Sequence, residues 1–206
     1  MPSFWENLRF AGGNPEQAGQ SYDENEGNES QDMVMYVSHP HPAAGADFPA
    51  IIVIQEAFGV TRHIEKVCDR FAQEGYVAIA PALFHREHPN PKLGYGDDDA
   101  PTRNRYMGAL RDDELIDDIN QVVIWTQSEQ FRRTNNQKIG IVGYCVGGRI
   151  TYLAATSCPG LSAASCYYPG RTLLPFGDGP APIDLTSQIK IPVMGNFGGQ
   201  DANPSP

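Results

Sequence analysis

A cysteine with glycine two residues before it and two after it, Gly143-Tyr144-Cys145-Val146-Gly147-Gly148, has the side chain and the spacing for covalent catalysis. Before it runs a short apolar strand pattern, Lys138-Ile139-Gly140-Ile141-Val142, and after it a helical pattern that begins with Val146. A strand-to-helix turn this tight leaves no room for neighbouring side chains. It lifts its central residue above the sheet edge and strains its backbone, so a thiol there is placed to attack a carbonyl carbon. The same glycines would also let a helix pack closely on a strand, with Cys145 as one more small buried hydrophobe. Gly140, Gly143 and Gly147 do not make the G-x-G-x-x-G of a dinucleotide loop.

The elements that would carry such a turn are legible around it. Ala50 to Gln55 is a continuous apolar run, as in a strand covered on both faces. From Thr61 the period changes: Ile64, Val67, Cys68, Phe71 and Ala72 share a helical face until Gly75 stops the pattern, which makes Cys68 a structural thiol. Tyr76 to Ala80 reads as a second buried strand, followed by a polar, Pro/Gly-rich stretch from Pro89 to Pro101. One long helix is expected next, with Leu115, Ile119, Val122, Val123 and Thr126 inward. Asp112, Asp113, Glu114, Asp117 and Asp118 read as its solvated face. Ile139 to Gly143, Leu161 to Tyr168 and Ile191 to Phe197 give further strands, and Val146 to Thr156 the helix after the turn. Strands alternating with helices predict an α/β protein with a mostly parallel, doubly wound sheet. Met33 to Ser38 is expected at its edge.

Composition narrows the class. A chain of 206 residues with 40% hydrophobic residues holds one sizeable core. A formal net charge of −10 argues against nucleic-acid and anionic-membrane surfaces, which need clustered Lys and Arg. Cysteines at 68, 145, 158 and 166 form no C-x-x-C pair and no zinc spacing, so reduced thiols in a cytoplasm are expected and no metal. Residues 1–30 read as an acidic and polar N-terminal extension ahead of a domain over 31–206. Residues 11 to 32 contain six acidic residues and no Lys or Arg, as in a solvated segment or exposed hairpin edge.

In a parallel sheet, reactive groups gather at the carboxyl edge. Gln55-Glu56-Ala57-Phe58-Gly59, Leu83-Phe84-His85-Arg86 and Asn196-Phe197-Gly198-Gly199-Gln200-Asp201 each close a strand there. Taken in order with Gly143 to Gly148 and Tyr167-Tyr168, these segments resemble the signatures of the dienelactone hydrolase (carboxymethylenebutenolidase) family over residues 30 to 206. The resemblance implies an α/β-hydrolase fold and hydrolysis of a small ester or lactone, an enol-lactone above all. It implies Cys145 as nucleophile, Asp201 as the acid of a Cys-His-Asp triad, and Glu56 as a carboxylate that accepts from the resting thiol. The amides of Val146 and Ala57 would form the oxyanion hole, and Arg86 would bind a substrate carboxylate, with Tyr144 and Phe58 on the substrate side. It implies no cofactor and a small-molecule partner; a monomer is the default.

The histidine of that triad is the departure. All five histidines, at 39, 41, 63, 85 and 88, precede Cys145, whereas the family's follows the acid by about thirty residues. Ala202-Asn203-Pro204-Ser205-Pro206 resembles the start of the family's next segment, so the domain is expected to be C-terminally incomplete, with an uncovered apolar face and little turnover. His85 and His88 are the only stand-ins. The rival readings are a thioesterase or general carboxylesterase on the same fold, a non-catalytic hydrolase-like binding or thiol-sensor protein, and, more weakly, a thiol-dependent redox enzyme.

Overall fold

The computed structural model describes residues 1–8, 32–41, 48–128, 134–202 and 204. Its strands are β1 (Ser3–Leu8), β2 (Met33–Ser38), β3 (Phe48–Ile54), β4 (Val77–Pro81), β5 (Thr134–Tyr144), β6 (Leu161–Tyr167) and β7 (Val193–Asn196). Its α-helices are α1 (Arg62–Gln73), α2 (Ala100–Ala109), α3 (Asp112–Gln127) and α4 (Val146–Ser157). The strands form one sheet in the order β1-β2-β4-β3-β5-β6-β7. β1 and β2 run antiparallel at one side, and the pairs from β4 through β3, β5 and β6 to β7 are parallel.

The period-2 alternation of the strands divides the core into two layers. Met33, Met35, Val37, Ile52, Ile54, Val77, Ile79, Ile139 and Ile141 point to the face covered by α3 and α4, where they meet Leu115, Ile119, Val122, Ile150 and Leu153. Val34, Tyr36, Val53, Ala78, Ala80 and Val142 point to the other face, against Ile64, Val67 and Cys68 of α1. Cys68 is fully buried, and burial pushes its thiol well up, as a structural cysteine requires. Beside α1 that second face is open among the described residues, where Ile51, Phe71, Tyr76, Tyr144, Tyr167 and Met194 line a trough of about 530 Å³.

Three expectations are corrected. β2 is not the edge strand, because Ser3–Leu8 pairs along its whole length and all six of its residues are buried. Residues 3–8 therefore belong to the sheet; 9–31, the rest of the expected extension, lie outside the described residues. The single long helix after Pro101 is two, α2 and α3, separated where Leu110 and Arg111 take extended backbone. The acidic face of α3 is not uniformly solvated, since Asp112 and Asp118 are buried. Leu115, Asp118, Ile119 and Val122 fall at i, i+3, i+4 and i+7, so Asp118 sits on the apolar stripe itself, and Asp112 lies one turn before it.

Candidate active site

The turn between β5 and α4 has the backbone that its glycines announce. Cys145 sits at φ 57°, ψ −122°, a region costly for any residue with a Cβ, by about 1–3 kcal/mol. The close approach is real on both sides of it. A Cβ on Gly143 would overlap the Gly147 carbonyl and the Thr151 hydroxyl, and one on Gly147 would overlap the carbonyls of Ile54 and Gln55 at the end of β3. The Cys145 amide donates to the Tyr167 carbonyl at 3.1 Å, which fixes the turn to β6.

The sulfur is half-buried and lies among groups from four strand ends. Burial raises the thiol pKa. The Val146 amide opposes this, the Glu56 charge adds to it, the Ala57 amide opposes it, and the Asp201 charge adds again. Five of the residues expected to act together, Cys145, Val146, Ala57, Glu56 and Asp201, are thus brought to one sulfur. Two backbone N–H groups aimed at one point, one of them at a helix N-terminus, are the geometry of an anion hole. Two carboxylates near it keep the resting thiol protonated.

The loop after β3 is anchored rather than draped. Buried Gln55 accepts from the Leu83 amide at 3.1 Å, tying the ends of β3 and β4 together just before Glu56 and Ala57. Gly59, at φ 85°, donates to the Glu56 carbonyl at 3.3 Å and closes the turn. Phe58 leans on Tyr95, ring centroids 4.2 Å apart, under the Arg103 guanidinium at 5.3 Å. Tyr144 turns to the open trough and stacks on Tyr167 at 5.1 Å.

Arg86 is engaged elsewhere. Its terminal nitrogens reach both Asp118 oxygens at 2.7 and 2.9 Å, its Nε lies 3.4 Å from Glu114, and Nη1 is 2.9 Å from His85 Nε2. His85 is itself buried on Asp118 at 3.3 Å. His85 therefore belongs to this cluster, and His88 accepts from the Asn90 amide at 3.2 Å. Among the described residues no three His, Cys, Asp or Glu side chains are grouped as a metal ion would need.

From the sequence, Tyr168 is part of a family signature without a role of its own, and Tyr95 and Arg149 have none. Tyr168, at φ 38°, faces Glu56 and Cys145; burial first and those charges next push its phenol up to about 12. Tyr95 donates to Glu56 at 3.3 Å from within a polar, Pro/Gly-rich stretch that carries no signal for it. Arg149, four residues after the nucleophile, is fully buried. It forks onto Asp112 at 2.7 and 2.9 Å, donates to the carbonyls of Arg171 at 3.1 Å and Leu174 at 2.6 Å, and lies 3.7 Å over the Phe176 ring. It thereby fastens the nucleophile's helix to the loop that follows Tyr168.

Comparison with known proteins gives the family of the chain. The profile of the dienelactone hydrolase family matches residues 33–204. A Salmonella typhimurium protein named "Putative carboxymethylenebutenolidase" is 36% identical over 181 residues, covering 85% of this chain and 63% of the relative. The carboxymethylenebutenolidase of Pseudomonas putida is 26% identical over 160 residues, 77% of this chain and 63% of that protein. The chain thus spans under two thirds of the length of these relatives. Among solved structures, the crystal structure titled "Putative Dienelactone Hydrolase" from Klebsiella pneumoniae superposes with a TM-score of 0.74 at 29% identity, over 98% of this chain and 74% of the other.

Proposed function

Because the chain belongs to the dienelactone hydrolase family, with its α/β-hydrolase fold, we propose that it is built to hydrolyse a small ester or lactone through an acyl-enzyme on Cys145. The observation that carries this reading is the sulfur itself, held at a strained elbow beneath the Val146 and Ala57 amides. The Cys145 thiolate attacks the carbonyl carbon, and the carbonyl oxygen gathers negative charge facing those two amides. Collapse breaks the ester C–O bond, the alkoxide or enolate leaves, and a thioester remains for water to hydrolyse.

Asp201 takes the role of the triad acid in this reading, and Glu56 that of a guard. While the carboxylate faces the sulfur it disfavours the thiolate and protects it from alkylation and oxidation. The thiol proton must go to a base; His85 is held on Asp118, and His88 takes the Asn90 amide. Burial and the Glu56 and Asp201 charges favour the protonated thiol, so acylation should rise at alkaline pH. Arg86 is tied to Asp118 and Glu114, so a substrate carboxylate would have to compete with them for its donors.

The test is the mass of the protein after brief exposure to an aryl acetate at pH 9. One acetyl group on the Cys145 peptide, absent from Cys145→Ala, is the expected result. Acetylation of another residue, or equal ester cleavage by Cys145→Ala, would overturn the assignment. Rates with an enol-lactone, an aryl ester and a thioester then rank the lactonase reading against the carboxylesterase and thioesterase ones.

A further inference from the structure

After β4, the segment from Leu93 into the first turn of α2 at Arg103 folds back onto the loop that carries Glu56. The Leu93 amide donates to the Phe58 carbonyl at 2.9 Å, and the Tyr95 ring rests on Phe58. Asp99 accepts from the Gly94 amide at 2.6 Å, and Arg103 caps the other end, its guanidinium over Phe58 and 3.5 Å from the Gly94 carbonyl. These contacts bring the Tyr95 hydroxyl to 3.3 Å from Glu56, while Tyr168 faces the same carboxylate from the end of β6. One carboxylate beside the sulfur thus accepts from the Tyr95 phenol and is faced by a second, Tyr168, from a separate loop. Packing alone does not place the Tyr95 hydroxyl on Glu56, since Tyr95 is largely exposed.

We propose that Tyr95 is a positioning residue for Glu56, and that through it the Leu93–Arg103 segment sets the reactivity of Cys145. This rests on Cys145 being the nucleophile and extends that reading to a residue outside the triad. A phenol O–H on a carboxylate draws off part of its charge and fixes its direction. Glu56 bonded to Tyr95 therefore opposes the thiolate less than Glu56 released toward the sulfur would. The charged and titratable groups acting on this pair are Asp201, Tyr168 and Tyr144, while Asp99 and Arg103 hold the segment that carries Tyr95.

The pH dependence of alkylation by iodoacetamide tests this without requiring turnover. Cys68, Cys158 and Cys166 are buried, so the thiol that reacts in the folded chain is Cys145, identified by peptide mass. Tyr95→Phe keeps the ring on Phe58 and removes only the hydroxyl. It should slow alkylation about three-fold on the rising limb of the profile, a shift of roughly half a pH unit upward. Glu56→Gln should shift the profile downward, and adding Tyr95→Phe to it should then change nothing. A Tyr95→Phe profile equal to wild type or shifted downward, or the same upward shift in both backgrounds, overturns the proposal. If Glu56→Gln leaves the wild-type profile intact, the assignment of Glu56 fails as well, which separates the two failures.

Discussion

Two arginines fork onto two aspartates of the same helix, yet their surroundings differ. Arg149 has no exposed side-chain surface, and its partner Asp112 also receives the Phe176 amide at 2.9 Å. Arg86 keeps 35% of its side chain exposed, and its partner Asp118 is the fully buried member. The first pair fastens the nucleophile's helix to the loop after β6; the second fastens the end of β4 to α3. Backbone strain follows the first pair alone. The non-glycine residues at positive φ among those described are Cys145, Tyr168 and Arg171, all on the Arg149 side, whereas Gly59 takes that conformation on the other. A buried, fully paired arginine is the kind of anchor that over-determines a strained loop.

Breaking the pairs should separate them by size. Arg149→Met leaves Asp112 buried without its cation and two carbonyls without donors, a loss of about 3–5 kcal/mol in urea-unfolding free energy. It should also abolish selective alkylation of Cys145, as Tyr168 and the elbow lose their reference. Arg86→Gln leaves Asp118 with His85 and water within reach through the exposed guanidinium site, so about 1–2 kcal/mol is expected. Equal losses for the two variants would show that burial of the arginine is not what distinguishes the clamps.

A milder separation comes with acid. Burial alone would raise the Asp118 carboxyl, but hydrogen bonds from His85 and Arg86 outweigh it and hold the carboxyl below its usual value. The folded state thus favours the carboxylate. Its stabilisation is complete above the unfolded pKa, near ~3.9 for an aspartate, and is lost as pH falls through the depressed folded value. Asp118→Asn should lower stability at pH 7 and flatten the acid limb of a urea-midpoint profile below about pH 4. An unchanged limb in the variant would place the acid sensitivity at other carboxylates.

The elbow was legible because two of its requirements are compositional: an apolar strand and glycines at fixed offsets. The clamps were not, because a carboxylate run on a helix reads as solvated until each member is placed on the wheel. Asp118 falls between Leu115, Ile119 and Val122 on the apolar stripe, and that placement was the available signal of a buried partner. Nothing comparable marks Tyr95 in its Pro/Gly-rich stretch, whose position is set by contacts to Phe58 fixed only in three dimensions. β2 misled for a related reason. Its mixed pattern suggested an edge, but the strand that covers it lies near the start of the chain, across 24 intervening residues from Leu8 to Met33. Long-range pairing of that kind leaves no local trace.

The finest distinction between the two sides is conformational. If strain is concentrated around Arg149, a glycine at a strained position should relieve it without loss of contacts that matter. Arg171 suits the purpose, because at φ 63° its side chain lies 5.8 Å from the Phe176 ring, while its carbonyl, which glycine retains, is the atom that accepts from Arg149. Removing the Cβ penalty of the left-handed conformation is worth about 1 kcal/mol, and the extra freedom of glycine in the unfolded chain takes back part of that. Arg171→Gly should therefore hold or raise the urea midpoint by up to about 0.5 kcal/mol in equivalent stability. Arg105→Gly, inside α2 on the unstrained side, should lose about 1 kcal/mol. A loss at both positions would mean that the loop after β6 carries no strain for the Arg149 clamp to hold.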